Sequence, residues 1–357
     1  MLALSRPPRV SEASVSGGRM TRQHYDVAGL GNAIVDVIAS VNDGFLLTHR
    51  IAKGGMTLID EFRAKELHRL LADHPQASGS LHEVAGGSAA NTMAGLASLG
   101  GNGVFVGKVF DDRLGKVFAE SMASLGMHFT TTPANDGAST ATCLIAVTPD
   151  GQRSMSTYLG ACRELVPDDI DEKQVGAAQI LYIEGYLWDQ EEAKQAARKA
   201  IAAVKGAGGR IALSLSDSFC VGRFRDEFLH LMAKDVDILF ANEDEAKALF
   251  EAEEFDHVVT AARKWGGIAA LTRSAKGCVV VEGDVEHHIA ADPIAKVVDT
   301  TGAGDQFAAG FLYGLTHGKN LADCGRLGAL AAAEVISHYG ARPEVSLKEL
   351  AAKAGLV

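Results

Sequence analysis

Residues Val298–Gly318 read VDTTGAGDQFAAGFLYGLTHG. A polar Asp-Thr-Thr leads into Gly302–Ala303–Gly304, and an apolar helical pattern follows, with Phe307, Phe311 and Leu315 one turn apart and an end near Gly318. The three small residues let the backbone turn tightly and leave its N–H groups unobstructed. Such donors at a helix start, reinforced by the helix dipole, favour an anion. Asp305 stands in the first turn of that helix. A lone Asp at such a position is ordinarily a cap or a dipole partner. That reading accounts for Asp305 alone, but not for two glycines and an alanine before it and an unbroken apolar helix after it. A carboxylate beside an anion-binding turn can accept the proton of an alcohol while the N–H groups stabilise charge on a moving phosphoryl group.

Outward from this stretch, short apolar runs alternate with amphipathic ones. Strands are expected at Tyr25–Leu30, Gly103–Gly107, Ile180–Glu184, Ile211–Leu215, Ile238–Ala241, Ile268–Thr272 and Val279–Val281, with helices such as Glu192–Lys205 and Asp256–Trp265 between them. Alternation of this kind predicts an α/β fold, a doubly wound, mainly parallel sheet flanked by helices, with ligands beyond the carboxyl ends of the strands. Two regions break the rhythm. Val37–Ala85 carries the strand-like VIASV, the Gly54–Gly55 pair and one helix, Asp60–Ala72; Phe129–Gly160 is Thr-rich and alternating, with Pro149–Asp150–Gly151 as a hairpin turn. Both read as antiparallel β structure that meets in space as one smaller, discontinuous β-rich lid. The expected division is a disordered extension over 1–23, a main α/β domain over 24–36, 87–128 and 161–357, and the lid over 37–86 and 129–160. Within the extension, Met20 is a candidate start, because the first strand follows it almost at once.

The 357 residues suffice for one large and one smaller domain. A hydrophobic content of 47% and a charged content of 22% are those of an ordinary globular chain. The formal net charge of −11 argues against nucleic acid and anionic membrane as partners. Cys143, Cys162, Cys220, Cys278 and Cys324 are odd in number and lack metal-ligand spacing, which points to reduced core thiols in a cytoplasmic protein. No apolar run is long enough to span a bilayer.

DTTGAGD resembles the C-terminal signature of the ribokinase-like (PfkB) carbohydrate and nucleoside kinases. Three further elements follow the family's order between Tyr25 and about Pro343: GNAIVD at 31–36, GGSAAN at 86–91 with ASLGGNGVFVGKVFDDRLG after it, and ANEDE at 241–245, an Asn-x-x-Glu element. LSDSFC, YIEGYLWD and the helix-bearing insert at 37–85 are most similar to the adenosine kinases. The resemblance implies Asp305 as the general base, with an anion hole from the N–H groups of Gly302, Ala303, Gly304 and Asp305 itself. It implies Asn32, Asp36, Gly86, Gly87 and Asn91 around the acceptor sugar, where one carboxylate can accept from both hydroxyls of a cis-diol. It places Arg153 on phosphate, Asn242, Thr272 and Gly277 along ATP, and Glu245 on Mg²⁺ through water. Asp299 and Thr301 fall where relatives hold a monovalent cation such as K⁺.

Several of these residues also have plainer readings. Asn242 and Glu245 would equally form a helix capping box, Asn32–Asp36 a polar turn, and Arg153 a solvated hairpin charge. The sequence departs from the family at Met93, where relatives carry a small residue, and at Phe110 and Ser274, where they carry Gly; the first two bear on pocket shape and the third on the ATP contact. The function implied is ATP-dependent phosphorylation of a nucleoside 5′-hydroxyl, adenosine to AMP, in purine salvage. The alternatives are a sugar, inosine or guanosine acceptor on the same fold, and a non-catalytic nucleotide-sensing protein. Tyr186, Leu187 and Trp188 are the candidate walls for a base. GLGNAI at 29–34 superficially suggests a dinucleotide turn, but Ile34 occupies the third Gly position. Because the long insert can cover the sheet edge through which smaller relatives pair, a monomer is expected.

Overall fold

Strand Tyr25–Leu30 places Val27 in one hydrophobic core and Ala28 in another, and Ile180 and Leu181, Ala212 and Leu213, and Ile238 and Leu239 divide in the same way. Successive side chains of a strand point to opposite faces, so near-continuous apolar strands require cover on both faces. The computed structural model describes residues 25–74 and 81–357. The N-terminal extension and Met20 lie outside the described residues.

One face is covered by the helices Ser88–Ser98, Ala303–Thr316 and Leu321–Val335, the other by Glu191–Gly206, Ser218–Lys234, Glu243–Phe250 and Phe255–Trp265. From edge to edge the large sheet runs Val285–Ile289, Cys278–Glu282, Ile268–Thr272, Ile238–Asn242, Arg210–Ser214, Ala178–Glu184, Tyr25–Leu30, Gly103–Val106, His128–Phe129. It is parallel from Ile268–Thr272 to His128–Phe129 and antiparallel at the other edge. All the expected strands form. The two edge strands escape the sequence pattern because one is only His128–Phe129 and the other, Val285–Ile289, carries Glu286, His287 and His288 in place of an apolar run.

From Tyr25–Leu30 the chain winds outward to Gly103–Val106 and His128–Phe129. It then crosses back to Ala178–Glu184, on the other side of the first strand, and winds the opposite way. The crevice between those two strands is the topological switch point, where sheets of this kind bind ligands.

A second sheet has the order Met56–Leu58, Arg153–Tyr158, Ala141–Val147, Ile34–Ser40, His82–Gly86. The hairpin at 149–151 joins Ala141–Val147 to Arg153–Tyr158 in antiparallel register, as expected. The sheet is nevertheless mixed rather than antiparallel, because Ile34–Ser40 pairs in parallel with Ala141–Val147, and Met56–Leu58 in parallel with Arg153–Tyr158. Those pairings join segments about a hundred residues apart, and no local turn signal can announce them. Val35 and Val37 face the hydrophobic core, so Asp36 between them faces the opposite side, with Cys143 and Val84 as its cross-strand neighbours.

Candidate active site

Gly302 begins the helix Ala303–Thr316 in a left-handed conformation, φ 77°, and no side chain caps it. A Cβ at Gly302 would meet the Ala341 carbonyl oxygen at 2.6 Å, so only glycine fits this turn. The Ala303 N–H is directed at the Thr300 carbonyl at 3.3 Å. A Cβ at Gly304 would meet nothing within 4 Å, which leaves open space over the first turn. Phe307 and Phe311 anchor the helix in the core, each worth roughly 1.5–3 kcal/mol of burial.

Asp305 lies between two cavities. Its Oδ1 accepts from Ser88 Oγ at 2.6 Å and its Oδ2 from Asn91 Nδ2 at 3.4 Å. Burial pushes its carboxyl up to about 6, against the pull of those two donors. On one side it lines a cavity of about 90 Å³ with Ser88, Gly304, Asn242, Glu245 and Thr272. On the other side, Asn91 borders a cavity of about 160 Å³ with Asp36, Ile38, Arg153, Tyr339 and Arg342.

Gly86 and Gly87 bring the chain against Asp36 and Asn32. A Cβ at Gly86 would meet the Asp36 carboxylate at 2.5 Å, and one at Gly87, where φ is 90°, would meet the Asn32 carbonyl oxygen at 2.2 Å. Burial raises Asp36 to about 6, opposed by the nearby Arg342 and Arg153 and assisted by Asp305. The Asn32 N–H donates to Glu184 Oε1 at 2.8 Å, and the Ala89 N–H to Glu184 Oε2 at 2.9 Å. Glu184, the last residue of its strand, is fully buried; it is raised to about 7 by burial, and those N–H groups pull it back. It pins the loop after the first strand to the start of the Ser88–Ser98 helix, across the switch point. The sequence reading missed Glu184 as a site residue although it stands in YIEGYLWD, because its partners, the Asn32 and Ala89 N–H groups and the Asn32 side chain, lie about 95 to 150 residues away along the chain. It also passed over Ser88, inside GGSAAN, and Arg342.

Asn242 and Glu245 form the capping box: Glu245 N–H donates to Asn242 Oδ1 at 2.9 Å, Asn242 N–H to Glu245 Oε2 at 3.0 Å, and Asn242 Nδ2 to Glu245 Oε1 at 2.6 Å. Both still line the smaller cavity. Burial raises Glu245 to about 7, against the pull of the Asn242 N–H. Thr272 lines that cavity as well, but Gly277 does not: it closes the turn after Ser274–Lys276 at φ 81°, where a Cβ would meet the Ile289 carbonyl oxygen at 2.0 Å. Ser274 takes φ 50°, a left-handed conformation uncommon for any residue but glycine.

Arg153 is not a solvated charge. Its guanidinium is buried against Asp299 and so links the second sheet to the loop before Gly302. Asp299 also accepts from Thr301 N–H at 3.0 Å, Thr301 Oγ1 at 2.7 Å and Gly340 N–H at 3.0 Å.

Two expectations need correction. Leu187 and Trp188 are buried in the hydrophobic core, Trp188 against Phe228, and line neither cavity, while Tyr186 reaches the Ser216 carbonyl at 3.5 Å. The Gly185–Asp189 turn directs those apolar side chains inward, under the helices. Met93 does not shape the pocket either; its side chain fills the space over Gly29 and Gly103, where a Cβ would meet it at 2.8 and 2.3 Å. Phe110 sits at an isolated bridge to Ala134, outside both cavities. GLGNAI runs from strand through a short loop into the strand Ile34–Ser40, so it lacks the helix start that a dinucleotide turn requires.

The family model for pfkB family carbohydrate kinases matches residues 48–347. A probable sugar kinase from Rhizobium etli CFN 42 has a solved structure 46% identical to this chain, with a TM-score of 0.85, covering 95% of this chain and 100% of that one. The structure of an adenosine kinase from Sinorhizobium meliloti is 48% identical, with a TM-score of 0.83, covering 92% of this chain and 99% of that one. An uncharacterized sugar kinase of Archaeoglobus fulgidus is 30% identical over 254 residues, 70% of this chain and 96% of its own length.

Proposed function

The chain belongs to the pfkB family of carbohydrate kinases, and from that premise we propose that it transfers the γ-phosphoryl group of ATP to the 5′-hydroxyl of a nucleoside, with adenosine giving AMP and ADP. The observation that carries this reading is the place of Asp305, which lines one cavity and is hydrogen-bonded to Asn91 at the edge of the other. A base so placed reaches an acceptor hydroxyl on one side and faces phosphate on the other.

In this reading the larger cavity takes the acceptor. Asp36 accepts from the ribose hydroxyls, Asn32 and Asn91 flank them, and Gly86 and Gly87 allow the main chain close. Ile38, Val84 and Tyr339, which line the same cavity, take over the role of base wall that Leu187 and Trp188 do not fill. ATP lies over the strand ends at Asn242 and Thr272, with its transferring phosphate at the first turn of the Gly302 helix. Asp305 takes the hydroxyl proton as the oxygen attacks in line. The N–H groups of Gly302, Gly304 and Asp305, and Arg153 beside them, stabilise the charge. The second sheet acts as the lid that excludes water.

Among the described residues no group of three or more His, Cys, Asp or Glu side chains is placed to hold a metal. Glu245, which lines the smaller cavity, is the carboxylate that would meet a phosphate-bound Mg²⁺ through water. When bound, the ion neutralises phosphate charge.

A sugar acceptor is the second reading. A cavity of about 160 Å³ is snug for a whole nucleoside with the small sheet in this position, and Asp36 serves a sugar equally well. An ADP-release assay with adenosine, inosine, guanosine, ribose and fructose separates the two. Adenosine-dependent ADP release supports the proposal, release with a free sugar alone replaces it with the second reading, and silence with every acceptor leaves a nucleotide sensor.

A further inference from the structure

Arg342 follows the last helix of the sheet, in the Tyr339–Arg342 segment that lines the larger cavity. Its Nε–H donates to Asn91 Oδ1 at 3.2 Å, and Nη1 donates to Ser121 Oγ at 3.0 Å. Its Nη2 is buried and has no hydrogen-bond partner. Asn91 turns its other end to Asp305 through Nδ2, and its main-chain carbonyl accepts from Gln306 Nε2 at 2.9 Å. Gln306 Nε2 also donates to the Ala341 carbonyl at 2.9 Å, so Arg342 and Asn91 are tied to the same amide.

An amide has one accepting end and one donating end. With its oxygen held by a guanidinium, Asn91 has only its NH₂ to offer Asp305. Without that restraint the amide can rotate and set its oxygen against the carboxylate, an unfavourable contact in a poorly hydrated site. Arg342 is also the foremost positive charge acting on Asp36, and although burial lowers its guanidinium to about 10 it stays charged at neutral pH.

We propose that Arg342 is a positioning and specificity residue of the transfer reaction: its Nε–H fixes the Asn91 amide so that the NH₂ faces Asp305, and its unpartnered Nη2–H donates to an oxygen of the acceptor. The inference rests on the reading of Asp305 as base and of the larger cavity as the acceptor site. Lysine cannot reproduce the fork that holds two partners at fixed geometry, so charge and positioning are separable.

The test uses the full chain and the acceptor that the wild type turns over best in the ADP-release assay. Arg342→Met is expected to lower kcat on the order of 10- to 100-fold, the loss typical of a hydrogen bond to a charged group, to raise the acceptor KM, and to leave the ATP KM unchanged. Arg342→Lys recovers part of the acceptor KM but not kcat. If Arg342 acts through Asn91, adding Arg342→Met to Asn91→Ala costs little further kcat, the non-additivity of two residues in one network. Thermal melting reports the folded fraction, to which the rates are normalised. Losses that multiply in the double variant, full rescue of kcat by lysine, or a loss that only follows the folded fraction would each overturn the proposal. A wild type inactive on every acceptor removes the functional reading and this inference with it, whereas multiplying losses in an active enzyme remove Arg342 alone.

Discussion

Asp305 is subject to two opposed influences: burial raises its carboxyl, while Ser88 and Asn91 hold it down, for a resting value of about 6. A general base works best when its pKa lies near the operating pH and it is still largely ionised there. On the proposed role, Asp305→Asn lowers kcat by roughly 10²–10⁴ with little change in the KM for ATP or acceptor. The wild-type kcat profile carries an acid limb centred near pH 6, falling as the base takes up its proton. Asp36 and Glu184 both feel the Asp305 charge, so this limb belongs to the group of carboxylates rather than to one of them. Steady-state rates from pH 5 to 8 check both points, and a flat profile, or an active Asp305→Asn enzyme, refutes the assignment. DTTGAGD made Asp305 legible in the sequence. Glu184 was not, because its partners, two main-chain N–H groups and the Asn32 side chain, are distant along the chain and leave no local pattern to betray it.

The turn into the Ala303–Thr316 helix holds two glycines with different physical duties. Gly302 is required by conformation, at φ 77° and against the Ala341 carbonyl, whereas Gly304 lies within the helix and faces open space. Substitution by alanine separates them. Gly302→Ala forces a left-handed residue into a clash and is expected to lose about 1–2 kcal/mol from the backbone alone, visible as a fall in Tm. Gly304→Ala places a better helix former in an unobstructed position and holds or raises Tm by up to about 1 kcal/mol of stability. Its methyl nonetheless fills the space proposed for phosphate and lowers kcat/KM for ATP. Melting curves and ATP kinetics on both variants decide the matter. If Gly304→Ala keeps full activity, that turn does not cradle phosphate. The helix itself was readable from Phe307, Phe311 and Leu315, but the placement of Ala341 over Gly302 was not, since it depends on a segment nearly forty residues further along.

Across the whole molecule, Asp36, Glu184 and Glu245 all feel the charge of Asp305, and these four carboxylates are raised mainly by burial to about 6, 7, 7 and 6, Asp305 last. In the unfolded chain such carboxylates titrate near 4. Between about pH 4 and 7 the native state therefore keeps protons that the unfolded chain has released, and stability falls as pH rises through that window. His338, also raised, acts in the same direction. Asp299, Asp150 and Glu83 are lowered, so their contributions are complete above the ordinary carboxylate range and do not change between pH 6 and 8. The ligand-free protein is expected to melt at a higher temperature at pH 6 than at pH 8 in phosphate-free buffer. Calorimetry giving the reverse order would show that these carboxylates do not share a poorly solvated crevice.

The sequence by itself determined the α/β class, nearly every strand of the large sheet, the catalytic-looking turn and the order of the motifs, because each of these is written in local periodicity or in residues that are close along the chain. Only the tertiary structure decided the mixed pairing of the second sheet, the burial of Leu187 and Trp188 away from the site, the anchoring of Arg153 on Asp299, and the places of Glu184 and Arg342. Those outcomes rest on contacts between segments far apart in the chain. Their energies come from burial, from main-chain hydrogen bonds that any residue can offer, and from side-chain pairs whose partners are far apart in sequence, so nothing in the local sequence marks them in advance.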